Sequence, residues 1–284
     1  MPEKYVLREG LPLLVRHTGP TTLPEAPPVH TDGASIVCLH DAGLQSSVFD
    51  DLLAALEAEG SSALAFDLPG HGRSGGLDAL PSIEAMAETA RWVTDACQIE
   101  STLIVGHGMG ALIALEWAFS QPDDVAGLVL CGVGEALGIR DETIELMRSV
   151  TRGKAPRPFD PTRVAKVSGR DLMRRVYMEG IKTDPRATLG DLEASRKWSD
   201  ALRKGPARAL RRPLRVFTGS AEGEADRRRA AELLATLSNA SESGANTSFT
   251  SSVIEDAAHF LPLEQPAAFA AEVSRFRREA VETS

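Results

Sequence analysis

The chain predicts an α/β fold, a mostly parallel sheet with helices on both faces. Three observations carry this. Short apolar runs at Ser35–Leu39, Ser62–Phe66, Leu103–Val105 and Val125–Leu130 are separated by stretches of helical spacing, the pattern of a β-α-β-α-β-α-β unit. Three glycines at alternate positions, Gly106, Gly108 and Gly110, follow the third run and lead into Ala111, Leu112, Ala114, Leu115 and Ala118. That is a strand, a sharp turn and a helix. The stretch 134–212 offers no strand at all, only helical segments, and the strand pattern resumes at Leu214–Thr218.

The elements follow in order. Tyr5–Arg8 and Leu11–Val15 read as two short strands around Glu9-Gly10, a hairpin signal. Pro20 to Pro28 is rich in proline and reads as a loop, because proline cannot donate to a strand ladder. After the strand 35–39, Phe49, Leu52, Leu53 and Leu56 share one helical face, and Gly60 stops that helix. Ser82 precedes a helix with apolar positions at Ile83, Met86, Ala90, Val93 and Cys97, a spacing that turns one stripe toward the core. Asp141 is placed to cap a helix, and Asp160-Pro161 and Asp184-Pro185 each set an N-cap before a proline at the first helical position. A helix from about Ala225 to Leu237, a polar loop from Ser238 to Ser251, a last strand at Ser252–Glu255 and a final helix opened by Pro266 complete the chain. The expected division is a sheet core of 1–133 and 213–284 with a helical cap inserted at 134–212.

Composition bounds the function. With 284 residues, 43% hydrophobic and 25% charged, the chain can bury one large core as a soluble protein. No run approaches the ~18 apolar residues of a membrane span, and Met1-Pro-Glu-Lys-Tyr-Val carries no apolar signal core, so a cytoplasmic location is expected. Three cysteines, Cys38, Cys97 and Cys131, have no metal spacing and are expected to be buried thiols. No metal site, nicotinamide, flavin or other cofactor is called for. Net charge is −9 but unevenly spread: Glu135 to Arg212 holds 19 basic and 11 acidic residues, the remainder 12 and 29. So acidic a body is not expected to take nucleic acid. The basic segment is either a set of solvated helix faces or an attractor of an anionic ligand. Oligomeric state is not legible.

Four short stretches now fall into one order. His40-Asp41-Ala42-Gly43 follows a strand. Asp67-Leu-Pro-Gly-His-Gly-Arg-Ser74 follows the next. Gly106-His-Gly-Met-Gly110 forms the turn described above, and Asp256-Ala-Ala-His259-Phe-Leu-Pro-Leu-Glu-Gln-Pro266 follows the last strand. Together they resemble the α/β-hydrolase fold over nearly the whole chain: the H-G-x-x oxyanion loop, the D-x-x-G-x-G-x-S turn, the G-x-S-x-G nucleophile elbow and the loop of the catalytic histidine. The cap falls where this family commonly inserts one. The resemblance departs from the family at the elbow, where glycine, Gly108, stands in place of the serine.

The resemblance implies roles. His259 is the general base, near neutral pH when a carboxylate holds it. Glu222, three residues after Gly219, is the acid expected to orient it, and Glu224, Asp226 and Glu135 could serve in its stead. The backbone N–H groups of Ala42 and Met109 form the oxyanion hole, which a missing serine side chain leaves intact. His40 orients the oxyanion loop. His71 and His107 are expected to be structural, and Gly106 and Gly110 shape the turn. Asp41 replaces the family's usual glycine and is either a solvent-facing turn residue or a charge on the pocket floor, where it would oppose an anion. Gly108 cannot be a covalent nucleophile, and it also relieves the strain this turn imposes on other residues. Three functions stay open: a hydrolase of a small ester, lactone or amide-like carbonyl compound that activates water through His259 and Glu222; a ligand-binding protein that kept the pocket and lost turnover; and an engineered serine-to-glycine form of an ordinary serine hydrolase.

Overall fold

The computed structural model describes residues 1–19, 33–241 and 248–282. The proline-rich stretch 20–28 therefore lies outside the described residues. Strands are β1 (Glu3–Arg8), β2 (Leu11–His17), β3 (Ser35–Leu39), β4 (Ala63–Phe66), β5 (Thr102–His107), β6 (Val125–Cys131), β7 (Leu214–Gly219) and β8 (Phe249–Ile254). Helices are α1 (Asp50–Ala58), α2 (Ile83–Ala96), α3 (Met109–Ser120), α4 (Val133–Leu137), α5 (Asp141–Thr151), α6 (Gly169–Gly180), α7 (Pro185–Lys204), α8 (Glu224–Ala240), α9 (Leu261–Glu264) and α10 (Pro266–Glu282). Short 3-10 turns at Pro161–Arg163 and Lys166–Ser168 join α5 to α6.

The eight strands form one sheet in the order β1-β2-β4-β3-β5-β6-β7-β8. β3 to β8 run parallel, and β1 and β2 add an antiparallel hairpin at one edge. Alternation along the central strands splits the core into two layers. Val37, Leu39, Ile104, Leu128 and Leu130 face α2, α3 and α8. Ile36, Cys38, Leu103, Val105, Val129 and Cys131 face α1, α9 and α10. Each fully buried leucine or isoleucine here contributes about 1.5–3 kcal/mol over its exposed state. Helix α3 is buried on nearly every side, from Met109 to Ala118, so it shows apolar residues all round rather than one stripe.

Ser82 caps α2 by accepting from the Ala85 N–H, as its position predicts, and Asp160 and Asp184 accept from the second N–H of their prolyl turns. Two local expectations are corrected. Asp141 is the first residue of α5 and not its cap; extended Arg140 holds the cap position with no side-chain bond, and Asp141 instead faces the helix N-terminus as a favourable charge. β8 begins at Phe249, three residues before the expected strand. Its polar Thr250 and Ser251 pair with Arg215 and Val216 of β7 at the sheet edge, where hydrophobic patterning is weak. Among the described residues no helix is long and apolar enough to cross a membrane.

Candidate active site

β5 delivers the chain into the turn at Gly108, and α3 leaves it. Gly106 and Gly110 make that turn possible. A Cβ at Gly110 would strike the backbone of Leu39, and one at Gly106 the backbone of Ala111. Gly108 itself has φ 56° and ψ −116°, a left-handed conformation that costs other residues strain.

The space above Gly108 is filled by a side chain from the neighbouring loop. A Cβ on residue 108 would sink into the carboxylate of Asp41, well inside the 3.0 Å that real Cβ atoms respect. Asp41 is 7% exposed and so is not a solvent-facing turn residue. Its Oδ1 accepts from the Ala42 N–H and the Met109 N–H, each at 2.8 Å. The two amides expected to form an oxyanion hole do converge on one point, and that point holds an oxygen of the protein's own. Oδ2 lies 2.9 Å from His259 Nε2 and 3.1 Å from the Arg163 guanidinium.

His259, on the loop after β8, is 3% exposed. Its amide donates to the Arg163 carbonyl, and Arg163 NH2 sits 2.7 Å from Nε2. The opposite nitrogen, Nδ1, is 3.2 Å from Glu135 Oε2 but lacks hydrogen-bond geometry. Arg163 also donates from Nε to Glu135 at 2.8 Å. His259, Asp41, Arg163 and Glu135 thus form a four-charge cluster. Burial and Arg163 push the His259 imidazole toward its neutral form, but Glu135 and Asp41 outweigh them and hold its pKa above the ordinary value. Burial likewise disfavours the Asp41 carboxylate, yet the bond to His259 and its charge, with His107 and Arg163, hold it well below the usual range. Both shifts favour the charged forms, the imidazolium of His259 and the carboxylate of Asp41.

Glu222 is buried at the expected place but makes a different contact. Oε2 accepts from the Gly219 N–H at 3.2 Å, and Oε1 has no hydrogen-bond partner. Burial pushes its pKa up to about 7, against the opposing charge of His259. The expected Glu222–His259 bond is therefore not made: the Glu222 carboxyl turns back on its own loop, and the carboxylates at His259 are Asp41 and Glu135. Glu224 is exposed at the start of α8, and Asp226 pairs with Arg229.

Two further histidines, His40 and His107, brace the site. His40 accepts from the Leu68 N–H at Nε2 and donates from Nδ1 to the Asp41 carbonyl. His107 donates from Nε2 to the His259 carbonyl at 3.0 Å. Burial lowers both rings, to about 4 and about 3, so they stay neutral. Asp41, His107 and His259 are close enough to hold a metal ion, but Arg163 already places a cation against Asp41 and His259. Those residues do not fit a resident metal with the guanidinium in place.

A cavity of about 830 Å³ opens over this cluster. Asp41, Met109, Glu222 and His259 line its floor, and Leu146, Phe159, Tyr177 and Ile181 of the helical stretch between β6 and β7 line its outer part. Arg140, Arg157 and Arg229 also border it. Arg157 is spent on the carbonyls of Gly180 and Thr183, and Arg229 on Asp226, so Arg140 is the exposed arginine at the rim. Sequence reasoning did not single out Arg163. Nothing but membership of the basic segment marked it, and its contacts span residues 41, 135 and 259.

The family model described as the alpha/beta hydrolase family matches residues 36–272. The chain is 37% identical over 114 residues to a pimeloyl-[acyl-carrier protein] methyl ester esterase of Chromobacterium violaceum, covering 39% of this chain and 41% of that protein. It spans less than half the length of the curated relatives it matches. A thermophilic esterase from Thermogutta terrifontis superposes with a TM-score of 0.73 at 18% identity, covering 99% of this chain and 98% of the other. An enol-lactonase from Burkholderia xenovorans LB400 superposes with a TM-score of 0.65 at 20% identity, covering 96% and 98%. Strand order, turn geometry and a family match over most of its length together establish that this chain belongs to the α/β-hydrolase family.

Proposed function

We propose that the chain is a hydrolase of a small carbonyl compound, an ester or a lactone, that works in the cavity over Gly108 without a serine and without a cofactor. The helices of 134–212 act as its cap. The observation that carries this reading is the convergence of four groups on one point. The Ala42 and Met109 amides, the His259 imidazole and the Asp41 carboxylate meet where the family's serine would stand. His259 moves the proton, and Asp41 takes the place of the missing hydroxyl. Glu222, buried on the loop after β7 with one oxygen unbonded, is the reserve acid for His259. The esterase and lactonase named above support the substrate class. The free thiols of Cys38, Cys97 and Cys131 suit a cytoplasmic setting. An anionic substrate would rely on Arg140, since the other cavity arginines are engaged.

The second reading, a binding protein without turnover, is favoured by one observation: Asp41 Oδ1 already satisfies both oxyanion amides. An engineered serine-to-glycine exchange accounts for Gly108 alone and leaves the carboxylate of Asp41 unexplained. A panel of p-nitrophenyl esters and simple lactones tests the proposal. Turnover should appear in the wild type and fall by ~10²–10⁴-fold in His259→Ala, the usual worth of a general acid–base group. No turnover of any member, with a lactone still bound in calorimetry, would establish the binding protein instead.

A further inference from the structure

We infer that Asp41 is the nucleophile of this site, delivered to the elbow from the neighbouring loop, and that the reaction passes through a covalent Asp41 intermediate. This rests on the proposed hydrolase reading and names the residue that carries its first bond-forming step.

Three features argue for it. The carboxylate occupies the volume that a side chain at residue 108 would take, so it stands where the elbow presents its nucleophile. Its two oxygens are not equivalent. Oδ1 is held by two backbone amides at 2.8 Å, while Oδ2 borders the proton donor His259 at 2.9 Å. Asp41 is also part of the cavity wall.

The chemistry balances. Oδ2 bonds to the substrate's carbonyl carbon, whose oxygen is faced by the Arg163 guanidinium. The bond from that carbon to the alcohol oxygen breaks, and the His259 imidazolium gives its proton to the departing alkoxide. Asp41 is now an acyl anhydride without charge. The transfer leaves His259 as a neutral imidazole, and the loss of the Asp41 charge removes one influence that favoured its protonated form. Neutral His259 takes a proton from water as the water oxygen adds to Cγ of Asp41. Water adds there because the two amides already hold Oδ1 of Asp41, so the oxyanion that forms on Cγ meets a prepared site. The Cγ–Oδ2 bond breaks, the acid leaves carrying Oδ2, and the second proton of the water leaves with it. The sum is ester plus water to acid plus alcohol, with one oxygen of Asp41 replaced by water's.

The test is turnover of p-nitrophenyl acetate by the wild-type chain in water enriched in heavy oxygen, followed by mass spectrometry of the peptide holding residue 41. Heavy oxygen should build up in Asp41 within a few turnovers. Turnover that leaves Asp41 unlabelled overturns the inference and means that water attacks the substrate directly. If no ester or lactone turns over, the hydrolase reading fails by itself, and nucleophilicity is read separately. His259→Ala, with folding checked by circular dichroism, is incubated with styrene oxide, whose ester with Asp41 cannot be cleared without the base. One adduct per chain at Asp41, absent in Asp41→Asn, upholds the nucleophile. No adduct there overturns it.

Discussion

Asp41 and Gly108 are a matched pair: the carboxylate of one occupies the volume that a side chain on the other would need. Glycine at 108 makes room for the aspartate at 41, whose carboxylate fills the space. Restoring serine at 108 alone therefore places its Cβ inside Asp41. Gly108→Ser should lower the melting temperature and remain unlabelled by a serine-directed phosphonate, because the hydroxyl has neither the amides nor a free path to His259. Asp41→Gly combined with Gly108→Ser should recover the stability and take the phosphonate at residue 108. Equal labelling of the single and double variants would show that Asp41 moves aside at no cost.

Asp41→Asn keeps the shape and removes the charge. Arg163 and His259 then face each other with one carboxylate fewer in a buried cluster. Breaking one side of a buried pair costs about 3–5 kcal/mol, so urea titration should show a loss of that order at neutral pH. The variant's His259 should also titrate at lower pH, because Asp41 is one of the groups that raises it. Histidine ring shifts in NMR would read this directly.

Glu222 gives a pH signature of its own. Burial raises its folded pKa to about 7, above the ordinary value of 4.5. Between those values the folded chain binds more protons at this site than the unfolded chain. Its contribution to stability is thus present below the unfolded pKa and is lost as pH rises toward and past 7. Glu222→Gln removes the titration. The variant should gain on the wild type as pH rises from 5 to 8, by at most ~3 kcal/mol at 1.36 kcal/mol per pKa unit. Parallel stability curves for the two proteins would show that the carboxyl is not held protonated.

The sheet was legible because its central strands are buried on both faces and read as apolar runs, and because Gly106 and Gly110 mark a turn that has no room for a Cβ at either position. β8 began earlier than expected because an edge strand with Thr250 and Ser251 carries little hydrophobic signal. At the site, His259 and the two amides were legible from local motifs. Asp41 was visible as a departure, but whether it faced solvent or pocket depends on Gly108, 67 positions away, and on Arg163. The Glu222 contact was misjudged for a related reason. Spacing brings that carboxyl to the right loop, but the rotamer that turns it onto the Gly219 amide is set by tertiary contacts.

Two buried carboxylates from the helices between β6 and β7 hold the loop at residues 41–47. Asp191 on α7 is fully buried, and its Oδ2 accepts both from the Gly43 N–H and from His71 Nε2, each at 2.8 Å. Gly43 lies two residues beyond Asp41, so one carboxylate from α7 fixes the loop that carries Asp41. Glu179 on α6 adds a second tie, accepting from Gln45 Nε2 at 2.5 Å and Ser47 Oγ at 2.6 Å. Burial presses His71 toward neutrality, but the charge and hydrogen bond of Asp191 outweigh it and raise its pKa. A histidine raised in the folded state contributes stability that is full below its unfolded pKa, ~6.5, and is lost as pH rises through the folded value. The wild type should therefore lose this increment on going from mildly acidic to mildly basic pH, and His71→Asn should not. A double-mutant cycle of His71→Asn and Asp191→Asn should show ~1–3 kcal/mol of coupling at pH 6, the range for residues in one network, and less at pH 9. Asp191→Asn should also slow turnover more than it weakens substrate binding, because the loop bearing Asp41 loosens while the cavity lining stays. Additive single effects at pH 6, with turnover unchanged, would mean that the loop at residues 41–47 holds its place without the insertion.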